Sequence, residues 1–134
     1  MDWINQQIAI GDIDDAMRRT KLEIAGITAV LSLNWFPSFL PSDGFSWHHM
    51  PLIDGPGNQP SSLRAALETL HSLVSSGHKV LVHCAAGTSR SPFVVACYLA
   101  PYQGFQFNEA LELVAEKRTF VAVNPALLLL PNLL

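Results

Sequence analysis

Short apolar runs alternate with longer amphipathic stretches along this chain, and turn-forming residues separate them. Gln7-Ile8-Ala9-Ile10, stopped by Gly11, predicts a first strand. Asp12 or Asp14 suits the N-cap of a short helix through Arg19, because a carboxylate accepts from the unpaired N–H groups there. Thr20 to Ala25 reads as a further helical turn or two, closed by Gly26. Ile27 to Leu33 is β-branched and mostly apolar, the pattern of a strand buried on both faces. Residues 34–45 carry Pro37, Pro41 and polar residues and predict a long loop. Trp47 to Ile53 predicts a third strand, and Asp54 to Asn58 a turn-rich loop. Pro60 opens a helix to about Ser76, with Leu63, Leu67, Leu70 and Val74 on one face and Gly77 after it. Lys79 to Val82 predicts the central strand. Asn108 caps a helix through Arg118, and Asn124-Pro125 opens a last one. The apolar tail 126–134 is shorter than the roughly 20 residues that span a bilayer, so it predicts a core helix that fills a groove. Strands alternating with helices give an α/β domain over residues 1–134 with a mainly parallel sheet.

The chemistry concentrates between the central strand and the helix-like run Pro92 to Leu99. That stretch reads His83-Cys84-Ala85-Ala86-Gly87-Thr88-Ser89-Arg90-Ser91. Small residues let successive N–H groups turn inward as an anion nest. The following helix N-terminus adds unpaired donors and the positive end of its dipole. Arg90 sits at the far lip, where its planar fork suits two phosphate oxygens. The same field favours the thiolate of Cys84, which makes it a nucleophile. Ala85, Ala86, Gly87, Thr88, Ser89 and Arg90 thus form a candidate phosphate loop.

Cleavage of a phosphate ester also needs a proton for the leaving oxygen. Asp54 is the best candidate. It follows the apolar run Met50-Pro51-Leu52-Ile53 as Cys84 follows its own strand, and loops at strand C-termini share one edge of a parallel sheet. The neighbouring glycines and Pro56 suit a loop that closes over substrate. Asp43 is the runner-up, mid-loop with no strand to aim it. His83 is expected to bond the main chain near the loop and help hold the Cys84 thiolate.

The stretch from His83 to Ser91 resembles the signature of the protein tyrosine phosphatase superfamily, and Ala86-Gly87 with Ser89-Arg90-Ser91 resembles its dual-specificity branch. Ile10-Gly11-Asp12, Asp15-Ala16, Gly26-Ile27-Thr28, Val30 and Leu33 look like that branch's N-terminal half, and Arg118 with Asn124 like its C-terminal segment. The resemblance implies a cysteine-dependent phosphatase fold with a twisted sheet of about five strands flanked by helices. It implies Asp54 as the acid, and a Ser91 hydroxyl that stabilises the departing thiolate. Ser91 also suits a helix cap ahead of Pro92. Asn124 reads as a cap, although family members use such an asparagine to brace the loop.

Composition narrows the partners. The chain is 49% hydrophobic and 14% charged with a net charge of −3 and no basic run. It is globular, and nucleic acid or an anionic membrane is not expected as a partner. Met1 to Asn5 lacks the pattern of a signal peptide. Of the two cysteines, Cys97 reads as a small buried hydrophobe. His48, His49, His71 and His78 show no metal-ligand spacing, and no cofactor is expected. A reactive Cys84 suits the cytoplasm.

The reading is a phosphatase of phosphotyrosine, phosphoserine and phosphothreonine esters, with a phosphorylated protein or a small phosphomonoester as partner. The alternatives are a lipid, glycan or RNA 5′-end phosphatase on the same scaffold, a rhodanese-like sulfurtransferase or arsenate reductase, and an inactive phosphopeptide binder. Trp35, Phe36 and Phe39 either shape substrate choice or pack.

Overall fold

The computed structural model describes residues 1–34 and 44–134. The expectations for Trp35, Phe36, Phe39 and Asp43 lie outside the described residues. In chain order the elements are β1 (Asp2–Trp3), β2 (Ile8–Gly11), α1 (Ile13–Met17), α2 (Arg19–Ala25), β3 (Ala29–Ser32), β4 (Ser46–His49), α3 (Pro60–Ser75), β5 (Val80–His83), α4 (Arg90–Gln103) and α5 (Phe107–Lys117). A 3₁₀ helix, Pro125–Leu133, follows α5.

The five strands form one sheet in the order β1-β2-β5-β3-β4. β5 pairs in parallel with β2 and with β3, and β4 pairs in parallel with β3. β1 is antiparallel to β2, with Asp2 opposite Ile10. The sheet is therefore mixed at one edge and parallel elsewhere.

β2, β3 and β5 are buried along their whole length. Covered on both faces, they read as continuous apolar runs, and their period of two divides the core. Ile8, Ile10, Leu31, Val80 and Val82 join the larger cluster with α3 and α4. Ala9, Val30 and Leu81 join Ala16, Leu22 and Ile27 on the opposite face. α3 buries Leu63, Ala66, Leu67, Leu70 and Leu73, a stripe at helical spacing. α4 is buried on every side from Ser91 to Leu99.

Three expectations change here. β4 ends at His49, not Ile53. Pro51 lacks the N–H that a ladder needs, and only Met50 and Leu52 continue along β3, bonding to the carbonyls of Ser32 and Leu33 at 2.9 and 3.1 Å. α5 begins at Phe107, so Asn108 lies within its first turn. There Glu109 accepts from the Gln106 N–H at 3.2 Å. The tail is 3₁₀, with Pro131 inside it; Leu127 and Leu130 are buried while Leu129 and Leu133 are exposed. It covers the core with one edge only. Among the described residues no helix is long and apolar enough to cross a membrane.

Gly11 and Ser32 both lie level with His83 in the sheet register. The loops after β2, β3 and β5 therefore open at the same C-terminal edge, the usual place for a site in such sheets.

Candidate active site

Cys84 follows β5 directly and is 2% exposed. Its Sγ lies 3.3 Å from the Ser91 hydroxyl. The N-cap of α4 is Ser89, so Ser91 sits within the first turn. Its hydroxyl reaches the sulfur and does not cap the helix.

Between Cys84 and Arg90 the main chain turns its carbonyls outward. The Ala85 carbonyl accepts from the Ile13 N–H at 3.0 Å, and that of Thr88 from the Ala122 N–H at 2.8 Å. The Gly87 carbonyl accepts from Arg118 Nε at 3.0 Å. Among the described residues, no N–H group from Ala85 to Ser91 donates to a protein acceptor. Donors left over on the inside of a curled loop are what an anion nest requires. Gly87 makes the curl possible. Its φ is +72°, and a Cβ there would lie 2.7 Å from the Gly11 carbonyl oxygen.

Arg90 Nη1 donates to the Leu52 carbonyl at 3.2 Å and lies 3.5 Å from that of Leu33. These bonds fix the guanidinium between the chains that extend β3 and β4. Its Nε is buried and has no partner among the described residues.

His83 is fully buried, and burial pushes its pKa down, which favours the neutral ring. Nδ1 lies 3.2 Å from the Cys84 carbonyl. A carbonyl only accepts, so Nδ1 carries the hydrogen. The main-chain bond expected of His83 is present.

Asp54 is exposed at the rim. It lies five residues beyond the end of β4, held by its own loop. Asn58 accepts from the Ile53 N–H and donates to the Ile53 carbonyl, both at 2.8 Å. The Asp54 carboxylate accepts from the Ser89 hydroxyl at 2.6 Å. Ser89 Oγ accepts in turn from the Asn124 N–H at 2.8 Å, and Asn124 Nδ2 donates to the Asp54 carbonyl at 2.8 Å. Asn124 Oδ1 meanwhile accepts from the Ala126 N–H. Asn124 is thus both cap and brace.

The Ser89 hydroxyl and Asn58 have roles that sequence reasoning passed over, and Arg118 carried only a resemblance to the family's C-terminal segment, without a role. The partners of all three are fixed only by the fold.

The four other histidines are engaged elsewhere. His48 bonds Ser46, His49 the Asn34 carbonyl, His78 the Thr28 hydroxyl, and His71 stacks on Tyr102. Cys97 is 5% exposed, against an apolar cavity of about 290 Å³ that Leu67 and Phe107 also line. Burial pushes its thiol up to about 12.

This sheet and loop are the fold of cysteine-dependent phosphatases. Human DUSP28 superposes with a TM-score of 0.90 at 21% identity, over 98% of this chain and 93% of that one. The human tyrosine phosphatase-like serine/threonine/tyrosine-interacting protein superposes with a TM-score of 0.85 at 25% identity, over 98% and 93%. Residues 8–129 match the family of the dual specificity phosphatase catalytic domain, and the chain belongs to it. MAP kinase phosphatase with leucine-rich repeats protein 3 of Dictyostelium discoideum is 34% identical over 88% of this chain. Dual specificity protein phosphatase 1B of Arabidopsis thaliana is 30% identical over 91% of this chain and 74% of its own length. The chain spans 14% of the Dictyostelium relative and 31% of dual specificity protein phosphatase 1-A of Xenopus laevis.

Proposed function

We propose that this chain hydrolyses phosphotyrosine, phosphoserine and phosphothreonine esters through a cysteinyl-phosphate. One observation carries the reading: the Cys84 sulfur lies 3.3 Å from the Ser91 hydroxyl, beside a loop whose carbonyls face outward and whose N–H groups are unspent among the described residues. Such a loop holds the three equatorial oxygens of a phosphoryl group, where charge spreads in a loose transition state.

The Cys84 thiolate attacks phosphorus in line. The sulfur–phosphorus bond forms as the bond to the ester oxygen breaks, and Asp54 gives that oxygen its proton. Water then attacks the cysteinyl-phosphate. Asp54 takes a proton from it, and sulfur departs as a thiolate that accepts a hydrogen bond from Ser91. Protons and electrons balance over the two steps, and the chain's own groups supply each of them. Arg90 supplies a fixed positive charge beside the phosphoryl oxygens. A free thiol at Cys84 fits a reducing compartment, the cytoplasm.

The test is Cys84→Ser, assayed on 4-nitrophenyl phosphate and on phosphotyrosine, phosphoserine and phosphothreonine peptides. Turnover should vanish while phosphopeptide binding persists, since nest and guanidinium remain. Turnover near the wild-type rate in this variant refutes the covalent route. Activity confined to phosphoinositides or phosphoglucans replaces the protein substrate with a non-protein one.

A further inference from the structure

A loop that turns its N–H groups inward must turn carbonyls outward, and a carbonyl left without a donor pulls the loop out of shape. Ala85 and Thr88 take their donors from main-chain N–H groups, which the fold holds in place. Gly87 takes its donor from a side chain, Arg118. The middle of the loop is therefore only as fixed as that guanidinium.

Arg118 is fixed by one residue at the other end of the chain. Asp2 Oδ2 accepts from Arg118 Nη1 at 2.9 Å. The same oxygen accepts from the Thr119 N–H at 3.1 Å and from the Thr119 hydroxyl at 3.2 Å. The Arg118 side chain is 10% exposed and that of Asp2 27%. Burial alone would raise the Asp2 carboxyl, but the Thr119 N–H and Arg118 outweigh it and hold it below its ordinary value, so it is anionic at neutral pH. The backbone of Asp2 is set by β1, whose partner strand β2 ends at Gly11, the residue that touches Gly87.

We infer that Asp2 is a positioning residue for the phosphate loop, acting through the Arg118 guanidinium on the Gly87 carbonyl. The inference rests on the phosphatase reading above. Asp2 touches no reacting atom. Its carboxylate aims Arg118 Nε at the loop, and without it the guanidinium is free to swing to solvent and leave the Gly87 carbonyl without its donor. The competing role is a plain staple that ties β1 to the chain after α5. A staple changes stability alone; a positioning residue changes how tightly the loop grips an oxyanion.

The experiment measures orthovanadate inhibition and turnover of 4-nitrophenyl phosphate at a temperature where circular dichroism shows each variant folded. Asp2→Ala should weaken vanadate inhibition and lower kcat on the order of 10-fold or more, the scale expected when a catalytic geometry is loosened from a distance. Asp2→Asn keeps an acceptor for Thr119 and lacks the charge that orients Arg118, so it should fold and lose less. In an Arg118→Ala background, Asp2→Ala should add no further loss, since the relay is already cut. Wild-type vanadate inhibition in Asp2→Ala or in Asp2→Asn overturns the inference, whatever the melting temperature does. An Asp2→Ala loss equally large with and without Arg118 overturns it too. A wild-type protein that neither cleaves 4-nitrophenyl phosphate nor binds vanadate overturns the phosphatase reading itself, and this inference with it.

Discussion

Replacing Ser89 by alanine removes one hydroxyl that does two jobs. It donates to the Asp54 carboxylate and accepts from the Asn124 N–H. The backbone N–H of residue 89 stays, so the grip on phosphate should survive. Asn124 is half-buried, so stranding its N–H should cost about 1 kcal/mol, the low end for an unsatisfied buried donor. The larger effect should be on proton delivery. A positioned general acid is worth ~10²–10⁴ in rate. Asn124 Nδ2 still holds the Asp54 main chain, so only the carboxylate is loosened. A loss of about 10-fold in kcat/KM for a poor leaving group follows, or ~1.4 kcal/mol of barrier. In kcat/KM, which reports cleavage of the ester bond and not the later hydrolysis of the cysteinyl-phosphate, the loss must depend on the leaving group. A series of aryl phosphates from 4-nitrophenyl to phenyl resolves it: near wild-type rates for the nitrophenol, the full deficit for phenol. Orthovanadate inhibition should stay near the wild-type value throughout. A deficit in kcat/KM equal across the series refutes the argument, because it would mean that Ser89 acts on phosphate binding and not on proton delivery by Asp54.

Three other variants or conditions test separate links. Gly87→Ala must force a left-handed residue against the Gly11 carbonyl, so it should cost more than about 2 kcal/mol in urea unfolding and abolish vanadate binding. Asp15 is buried; burial would raise its carboxyl, but Lys21 and the Asp12 N–H outweigh it and hold it far below the ordinary 3.8. Its stabilisation is therefore complete above pH 4 and fades as the pH falls below it. Denaturation between pH 7 and pH 2 should show that loss in the wild type and a flatter profile in Asp15→Asn. Hydrogen peroxide should inactivate the protein reversibly at first, with mass spectrometry placing the oxidation on Cys84. Cys97, whose thiol burial pushes up to about 12, should remain reduced.

What was legible in the sequence was local. The candidate phosphate loop lies in one unbroken stretch between an apolar strand and a helix, so its residue types, order and neighbours could be read together. The same holds for β3 and α3, written by periodicity, and for the cap of α1, which the sequence narrowed to Asp12 or Asp14 and the structure assigns to Asp12. β1 escaped because two residues carry no period, and Asp2 is defined by Ile10 opposite and by Arg118 and Thr119 beyond α5. The strand through Ile53 was overextended because Met50 and Leu52 do follow β3 while Pro51 breaks the ladder between them. The leucine-rich tail reads as apolar whatever helix it adopts, and so says little about which face is covered. Ser89 looked like one more small loop residue. Its second role exists only because Asp54 and Asn124, each 35 residues away in sequence, meet at the same hydroxyl.

The outward ring of carbonyl partners has a consequence for how such a loop can change. Holding phosphate and choosing what carries it are assigned to different atoms. In the proposed reading the grip belongs to the main chain and to Arg90, and the loop is fixed by donors from α1, Arg118 and the segment before Asn124. The side chains of Ala85 and Ala86 are exposed and take no part in those bonds. They can therefore be exchanged without disturbing the grip. A lysine or arginine at either position would add a cation beside an intact nest and draw in multiply phosphorylated substrates. New preferences are thus open to this scaffold at two solvent-facing positions, with its chemistry left in place.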